Sequence, residues 1–312
     1  DVISFILIVG LTIVNIFGVN VSKFVNNLIT ISKLVPLALF IAIGIFFING
    51  ANFTPVFPQD TYVDGSFAQA AVLLFFAYTG FEVIAIAAED MKNPKKNLPR
   101  AIIMCMLLVS VLYMAILAVS IGVLGTDLAN TKAPVQDAFN VIVGPIGMYI
   151  VLVGTLISMG GINFAEAYYA PRVATSMAED GMLPSALAKR NRYNAPYVAA
   201  IVTAAASVLL AWSGSFTTLA AISAVSRFTQ YLPTCLAVII FRRKWADKAR
   251  SYTIPGGYLI PVIAIGTSLW MLAQAQTNQL LWGLGGCIII LPFYYSYWKK
   301  KKAGLIKDND EM

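Results

Sequence analysis

Residues 67–90 read FAQAAVLLFFAYTGFEVIAIAAED. The stretch is long and apolar enough for a membrane-spanning helix, which needs about 20 mostly apolar residues. Thr79 and Gly80 interrupt it, and Glu82 follows two residues later. Glycine costs a helix about 1 kcal/mol relative to alanine, and a carboxylate in mid-span costs at least about 2.5 kcal/mol. The stretch therefore predicts either a discontinuous helix with freed ends near the membrane midplane or a kinked helix whose Glu82 is paired with a neighbour.

The composition of the 312-residue chain indicates a membrane protein. Its residues are 59% hydrophobic and only 12% charged, and the mean hydropathy is +0.76. Soluble domains carry about 25% charged residues, so a soluble core does not account for these values. The chain contains no histidine, which removes the commonest general base and the usual zinc ligand. We therefore expect no bound metal, no cofactor and no enzymatic activity.

We interpret nine apolar segments as membrane spans of an all-α polytopic membrane protein. In lipid each segment must be helical to satisfy its own backbone, apart from stretches that are buried against protein or a cavity. The segments are 2–19, 28–48, 67–89, 101–124, 146–177, 197–213, 216–241, 258–274 and 280–298.

Basic and non-basic loops alternate between these segments. Loop 90–100 contains four lysines or arginines, whereas loop 49–66 contains Asp60 and Asp64 and neither basic residue. Because cytoplasmic loops are enriched in lysine and arginine, the alternation predicts that the C-terminal tail, which starts with Lys299–Lys302, is cytoplasmic. The net charge of +7 is thereby assigned to membrane orientation and not to nucleic-acid binding.

The beginning of the chain predicts a longer protein. With nine spans and a cytoplasmic C-terminus, the N-terminus would lie outside the cell. Asp1 runs directly into an apolar segment, without the charged n-region of a signal peptide. We therefore expect that an odd number of preceding spans is missing.

Three further charged residues lie inside apolar segments. Lys33 lies about 6–9 Å inside the cytoplasmic end of its segment, so it either snorkels to the interface or acts as a buried ammonium in a cation site. Glu166 lies about 18 Å deep, after Gly160 and Gly161, which allow close helix approach. It is either a structural ion-pair partner or an acid in a pocket. Arg227 is equally deep, and we expect it to be a structural partner of a carboxylate or of backbone carbonyls.

Three motifs resemble the amino acid–polyamine–organocation transporter superfamily, in particular its bacterial amino-acid permeases. The sequence FFAYTGFEVIAIAAEDMKNPKKNLPRAI at 75–102 resembles the sixth span of the family, with its unwound Gly-Phe-Glu stretch, and the loop after it. The sequence APRVATSMAEDGMLP at 170–184, followed by Ala195 and Pro196, resembles the end of the eighth span. The lysine of ISKLVPLALF at 31–40 resembles the fifth-span lysine of the sodium-independent members. The resemblance covers essentially the whole chain.

The resemblance implies a fold of two inverted five-helix repeats plus two extra helices. The nine segments would be spans four to twelve of twelve, so three spans would be missing, in agreement with the odd number expected from the charges. Within one transmembrane transporter domain, residues 1–312, the resemblance assigns 1–48 to the end of the first repeat, 67–241 to the second repeat and 258–298 to the final pair. The implied location is the plasma membrane.

The resemblance also implies a substrate site at the interrupted helix. Backbone carbonyls near Phe76, Ala77 and Thr79 would receive the α-ammonium of the substrate. Phe76 or Tyr78 would be an aromatic gate over the pocket, and Gly80 belongs to the unwound stretch.

Further site residues are implied outside that stretch. Lys33 would stand where sodium-coupled relatives hold a cation, so its protonation could replace sodium, and Glu82 would be a second proton-sensitive group. Glu166 matches a pocket-facing position that is often apolar or aromatic in the family, so a carboxylate there is a departure. The Gly-Ser-Gly stretch that binds the substrate carboxylate in the family lies in its first span, and we expect no transport from this chain alone.

The function implied is secondary active amino-acid transport by alternating access, coupled to protons or working by exchange. A polyamine or cationic amino acid is the alternative substrate, suggested by Glu166 and the acidic loop. An alternative of another class is a membrane-embedded sensor that binds an amino acid without moving it. The expected partners are the small-molecule substrate, protons and the lipid bilayer.

Overall fold

The computed structural model describes residues 2–17, 23–54, 66–82, 84, 91–248, 250 and 252–302. These residues form ten α-helices and contain no β-strand. The helices are α1 (Val2–Ile16), α2 (Lys23–Gly44), α3 (Ser66–Tyr78), α4 (Pro94–Leu124), α5 (Pro134–Val143), α6 (Pro145–Glu179), α7 (Tyr197–Ser213), α8 (Phe216–Lys244), α9 (Leu259–Gln274) and α10 (Thr277–Lys302).

Each of the nine predicted segments overlaps one apolar helix. Five helices, α2, α4, α6, α8 and α10, are long and apolar enough to cross a membrane. The other four, α1, α3, α7 and α9, are shorter apolar helices of 13 to 17 residues. The all-helical class is thus confirmed for the described residues, and the count of nine spans stays a prediction. Asp60, Asp64 and residues 85–90 of the first quoted stretch lie outside the described residues.

The predicted loop 125–145 contains a helix that the sequence interpretation missed. A 3-10 helix over Gly125–Asn130 precedes α5, and Pro134 occupies the first turn of α5. Gly144, with φ of +78°, ends α5 and directly precedes Pro145, the first residue of α6. Proline at a helix start and glycine just beyond a helix end are the usual punctuation of a short helix. A ten-residue helix is too short to register as a membrane span.

One compact unit comprises residues 1–58, 113–213 and 291–312. Within it α6 contacts α1, α2, α5 and α7. Its buried core contains Phe40, Phe139, Val119 and Val151, and the rings of Phe40 and Phe139 meet edge to face with centroids 5.7 Å apart. The long helix α6 is therefore the packing centre of this unit.

The second compact unit comprises residues 59–112 and 214–290. Helix α8 packs against both α3 and α9. Val72 of α3 is buried with Ala221 and Ala224 of α8, so small residues on α8 bring the two helices together. The unit boundaries follow contacts between helices, whereas the repeat boundaries 1–48, 67–241 and 258–298 stay a prediction.

Helices α2 and α6 pack closely at two glycines. A Cβ atom added to Gly154 would lie 2.6 Å from Cγ of Pro36 and 2.9 Å from the backbone oxygen of Ser32. An added Cβ at Gly161 would collide with the side chain of Ile29. The expectation of close approach at Gly161 is therefore confirmed, whereas Gly160 has no described atom within 4 Å of an added Cβ.

We expect Gly154→Ala to destabilise the protein, because the new methyl group meets a proline ring and a backbone oxygen that cannot move aside. Overpacking of this kind costs about 1–3 kcal/mol. Gly160→Ala is the matched control on the same helix, and it should be neutral or slightly stabilising because alanine is the better helix former. Thermal unfolding of both variants in the same detergent measures the difference. Equal melting temperatures would contradict the close approach of α2 and α6.

Candidate substrate site at the helix break

Helix α3 ends at Tyr78, in the middle of the predicted span. The backbone N–H of Thr79 donates to the carbonyl oxygen of Phe76 at 3.1 Å, and the Thr79 hydroxyl donates to the same oxygen at 2.7 Å. Gly80 then adopts φ of +106°, which favours glycine because it has no Cβ. Phe81 and Glu82 continue in 3-10 geometry. The α-helix thus ends at Tyr78, whereas a second half-helix stays a prediction, because residue 83 and residues 85–90 lie outside the described residues. Glu82 is paired with a neighbour, as the kinked-helix alternative had it.

Three donors surround the carboxylate of Glu82. Its Oε2 atom accepts from the backbone N–H of Gly80 at 2.9 Å and from the hydroxyl of Tyr231 at 3.0 Å. Its Oε1 atom is paired with Nη1 of Arg227. The Glu82 side chain is 13% exposed and that of Arg227 is 33% exposed. The charge that the sequence places in mid-span is therefore both neutralised and hydrogen-bonded.

Aromatic rings fill the space between the break and α8. Phe75 stacks on Phe228, with ring centroids 4.8 Å apart, and meets the ring of Tyr231 edge to face at 5.9 Å. Phe81, which follows the break, stacks against the ring of Tyr231, with ring centroids 5.7 Å apart. Aromatic pairs at these distances contribute about 0.5–1.5 kcal/mol each beyond area burial. Tyr231 thus holds the two sides of the break as well as the carboxylate.

The predicted gate residues lie beside this cluster. Phe76 meets Phe216 edge to face, with centroids 6.1 Å apart. Both Phe76 and Tyr78 are half-buried. Phe76 therefore has a ring partner on α8, near the first turn of that helix.

Six of the predicted site residues lie within residues 76–82, in the second unit. They are Phe76, Ala77, Tyr78, Thr79, Gly80 and Glu82. Lys33 and Glu166 belong to the first unit. Lys33 is half-buried on α2, ten residues after its start and so about 15 Å along the axis. Glu166 is exposed on α6, and within the described ranges neither residue makes an ion pair.

Sequence reasoning singled out Arg227 but did not assign it to Glu82. Arg227 was expected to be a structural partner of a carboxylate or of backbone carbonyls, and its pairing with Glu82 confirms the first of these. Tyr231 was not identified. The available signal was its spacing, because residues four positions apart lie on the same face of a helix and Arg227 already marked that face.

A polar network that sequence reasoning missed joins α1 to α6. Asn15, only 4% exposed, donates to the carbonyl oxygen of Ala167 at 2.6 Å and accepts from Arg172 at 3.2 Å. Arg172 also donates to the carbonyl oxygen of Tyr168 at 2.7 Å, and its guanidinium lies 3.3 Å from the centre of that ring. The arginine of the APRVATSMAEDGMLP motif therefore has a packing role in this structure.

Comparison with known proteins identifies the family. The family described as "Amino acid permease" matches residues 2–293. The chain belongs to this family. It is 29% identical to the branched-chain amino acid permease BcaP of Bacillus subtilis (strain 168) over 304 residues, which cover 95% of this chain and 64% of that protein.

Two further relatives come from the same organism. The methylthioribose transporter is 29% identical over 288 residues, covering 91% of this chain and 61% of the relative. The serine/threonine exchanger SteT is 29% identical over 314 residues, covering 97% and 70%. The chain thus spans less than two thirds of the first two relatives. The expected family is therefore confirmed, and it is a family of transporters and not of enzymes. Together with the apolar helices of this chain, the family identifies the chain as part of a multi-pass membrane protein.

No group of three metal-ligating side chains occurs among the residues that the structure describes. The groups at the helix break are backbone carbonyls, aromatic faces, the hydroxyls of Thr79 and Tyr231, and the carboxylate of Glu82 paired with Arg227.

We expect strong coupling between Glu82 and Arg227 in a double-mutant cycle. Removal of either partner leaves a charge inside the membrane without compensation, whereas Glu82→Gln with Arg227→Gln removes both charges. The coupling energy should exceed about 1 kcal/mol, as for partners in one hydrogen-bond network. The control cycle uses Arg190 and Glu179, which are paired at 3.0 Å but are 41% and 49% exposed, and exposed pairs couple by about 0.2–1 kcal/mol. Equal coupling in the two cycles, measured by thermal unfolding, would contradict the role of the pair.

We expect Gly80→Ala to destabilise the break by about 1–2 kcal/mol, the cost of a left-handed backbone for an L-residue. No described atom lies within 4 Å of an added Cβ at Gly80, so the cost arises from the backbone alone. Gly10→Ala is the matched control, since that glycine is helical and equally uncrowded. The two unfolding temperatures decide the question, and an unchanged value for Gly80→Ala would mean that the break accepts an ordinary backbone.

Proposed function

We propose that the protein is a secondary active amino-acid transporter that works by alternating access. The observation that carries the proposal is the break in α3 at Thr79 and Gly80, held by the contacts of Glu82 with Arg227 and Tyr231. Broken helices of this kind form the substrate sites of transporters, because the ends of the two half-helices interact with charged groups of the substrate. The similarity to the branched-chain amino acid permease BcaP and to the serine/threonine exchanger SteT supports the same substrate class.

The α-ammonium of the substrate binds at the carboxyl end of α3 in this proposal. The last carbonyls of a helix have no partner within the helix, and they carry the negative end of its dipole, which attracts a cation. The carbonyl of Phe76 accepts two hydrogen bonds from Thr79. An ammonium that binds the carbonyl oxygen of Phe76 therefore displaces the hydrogen bonds of Thr79 to that oxygen. The carbonyls of Ala77 and Thr79, which lie in the same turn, are its further acceptors in this proposal. Phe76 or Tyr78 acts as the aromatic gate.

Two groups couple transport to protons in this proposal. Lys33, half-buried on α2, binds a proton in place of a sodium ion. Protonation of Glu82 would weaken its contacts with Arg227 and Tyr231, and so release the turn that follows Gly80. Coupling therefore acts on the geometry of the break, because the same carboxylate also accepts from the backbone N–H of Gly80.

The topology proposed is that of the wider superfamily. The nine apolar helices would be spans four to twelve, arranged as the last two helices of one repeat, a complete inverted second repeat and a final pair. Basic residues at the ends of α8 and α10, Arg242–Lys244 and Lys299–Lys302, support a cytoplasmic C-terminus in the plasma membrane.

A cationic substrate or a polyamine is the second candidate. Glu166 is exposed on α6 and has no ion-pair partner among the described residues, so its carboxylate is available to a cation. Replacement of Glu166 by glutamine separates the two candidates. A lower ratio of cationic to neutral uptake would favour the cationic substrate, and an unchanged ratio would remove it.

We expect the longer protein, which includes the preceding spans expected above, to accumulate an amino acid from a radiolabelled panel after reconstitution when an inward proton gradient is imposed. Its Lys33→Ala variant should lose the gradient dependence. Lys132→Ala is the matched control, because Lys132 is an exposed lysine outside the helices. If uptake ignores the gradient and requires amino acid inside the vesicle, the protein is an exchanger and Lys33 is structural. Binding without accumulation of any amino acid would favour a sensor and contradict the transport proposal.

A further inference from the structure

The connection between α8 and α9 carries a cluster of basic and aromatic side chains that the proposed transport cycle does not use. We propose that this connection, residues 241–258, binds the phosphate headgroup of an anionic membrane lipid. We name it the basic–aromatic loop. It contains five basic residues, Arg242, Arg243, Lys244, Lys248 and Arg250, against the single acid Asp247, which gives a net charge of 5 − 1 = +4.

Two arginines shape the loop. Nη2 of Arg250 donates to the carbonyl oxygens of Phe241 and Trp245, at 3.2 and 3.0 Å. These carbonyls lie at the carboxyl end of α8. The carbonyl oxygen of Phe241 also accepts from the N–H of Trp245 at 3.0 Å, and that of Trp245 accepts from the N–H of Lys248 at 3.3 Å, so Arg250 is a second donor to each. Nη2 of Arg242 donates to the carbonyl oxygen of Ile254 at 2.8 Å. The loop is therefore folded back against the end of α8 by its own side chains.

A glycine turn brings the far side of the loop to the same place. Gly256 and Gly257 have φ of +75° and +60°, and the N–H of Leu259 donates to the carbonyl oxygen of Gly256 at 3.0 Å. Tyr258 follows this turn. The guanidinium carbons of Arg242 and Arg243 each lie 5.9 Å from the centre of its ring, within the range of a cation–π contact.

The three other basic residues of the loop are exposed and make no ion pair among the described residues. They are Arg243, Lys244 and Lys248. Asp247 has no ion-pair partner in the described part of the chain either. Lys248 has its ammonium 5.3 Å from the ring centre of Trp245. Three cations thus remain available beside backbone carbonyls that Arg242 and Arg250 contact.

The place of the loop selects a lipid as the source of the phosphate. It connects two apolar helices, so it lies at a membrane surface. Trp245 and Tyr258 are 48% and 43% exposed, and tryptophan and tyrosine are enriched at the headgroup level of membranes. Arginine matches phosphate oxygens with two parallel hydrogen bonds, and clustered basic residues beside a span attract anionic lipids. An inorganic phosphate would use the cations and leave the exposed rings in water.

The test measures lipid retained by the purified protein in native mass spectrometry, titrated with phosphatidylglycerol or with phosphatidylcholine. We expect wild type to bind phosphatidylglycerol in preference. The triple variant Arg243→Gln, Lys244→Gln, Lys248→Gln should lose at least about tenfold in apparent affinity, because each basic residue near the surface contributes to anionic-lipid binding. The matched control, Lys92→Gln, Lys95→Gln, Lys96→Gln, removes the same charge from another exposed basic stretch and should bind as wild type does.

Equal loss in both triple variants would overturn the site, since it would show diffuse attraction to overall charge. Unchanged binding in the first triple variant would overturn it as well. Displacement of the lipid by inorganic phosphate at equal concentration would replace the lipid by a free anion as the ligand. If the triple variant does not fold, wild type at rising ionic strength takes its place, and binding that does not fall with salt contradicts the proposal. None of these outcomes depends on whether the protein transports amino acids.

Discussion

The neutralisation of Glu82 is the constraint on which the region of the helix break depends. A carboxylate inside an apolar span is tolerated only where its charge is compensated and its oxygens accept hydrogen bonds. Arg227 supplies the charge, and Tyr231 and the N–H of Gly80 supply donors. Both side-chain partners belong to α8. The unwound turn after α3 therefore has a defined conformation because a neighbouring helix specifies it.

In the first unit, too, polar groups of one helix are hydrogen-bonded by residues of neighbouring segments. Asn15 and Arg172 satisfy each other and the carbonyl oxygens of Ala167 and Tyr168. Asn191 of the connection before α7 donates to the carbonyl oxygen of Ile16, at the end of α1, at 2.7 Å. Without water, helix ends and buried polar groups must find protein partners. Several polar contacts of the first unit consequently use backbone carbonyls as acceptors.

The helices of the fold could largely be predicted from the sequence, because lipid forces any long apolar segment to be helical. Helix ends were less predictable. Helix α4 begins at Pro94, whereas the predicted span begins at 101. The preceding residue, Asn93, has φ of +48°, and its carbonyl oxygen accepts from the backbone N–H groups of Lys96 and Asn97, which starts the helix there. The short helix α5 was missed because hydropathy detects only spans.

The candidate site was predictable where it is local and not where it is tertiary. The residue types of Thr79, Gly80 and Glu82 indicate a break in the helix. The contact of Glu82 with Tyr231 joins residues far apart in the chain. The spacing of Tyr231 from Arg227 places both on one helix face, but it does not pair that face with Glu82. The roles of Lys33 and Glu166 in coupling and selectivity depend on groups that sequence periodicity does not locate, so they stay proposals.

The geometry at Gly80 has a stereochemical consequence. Its φ of +106° lies in a region that L-amino acids rarely adopt, and no described atom crowds the space that a side chain would enter. Position 80 therefore discriminates by handedness and not by size. For a residue of D configuration this φ is the mirror image of an ordinary one. Such a residue would leave the turn stiffer, because it would lack the freedom that glycine keeps.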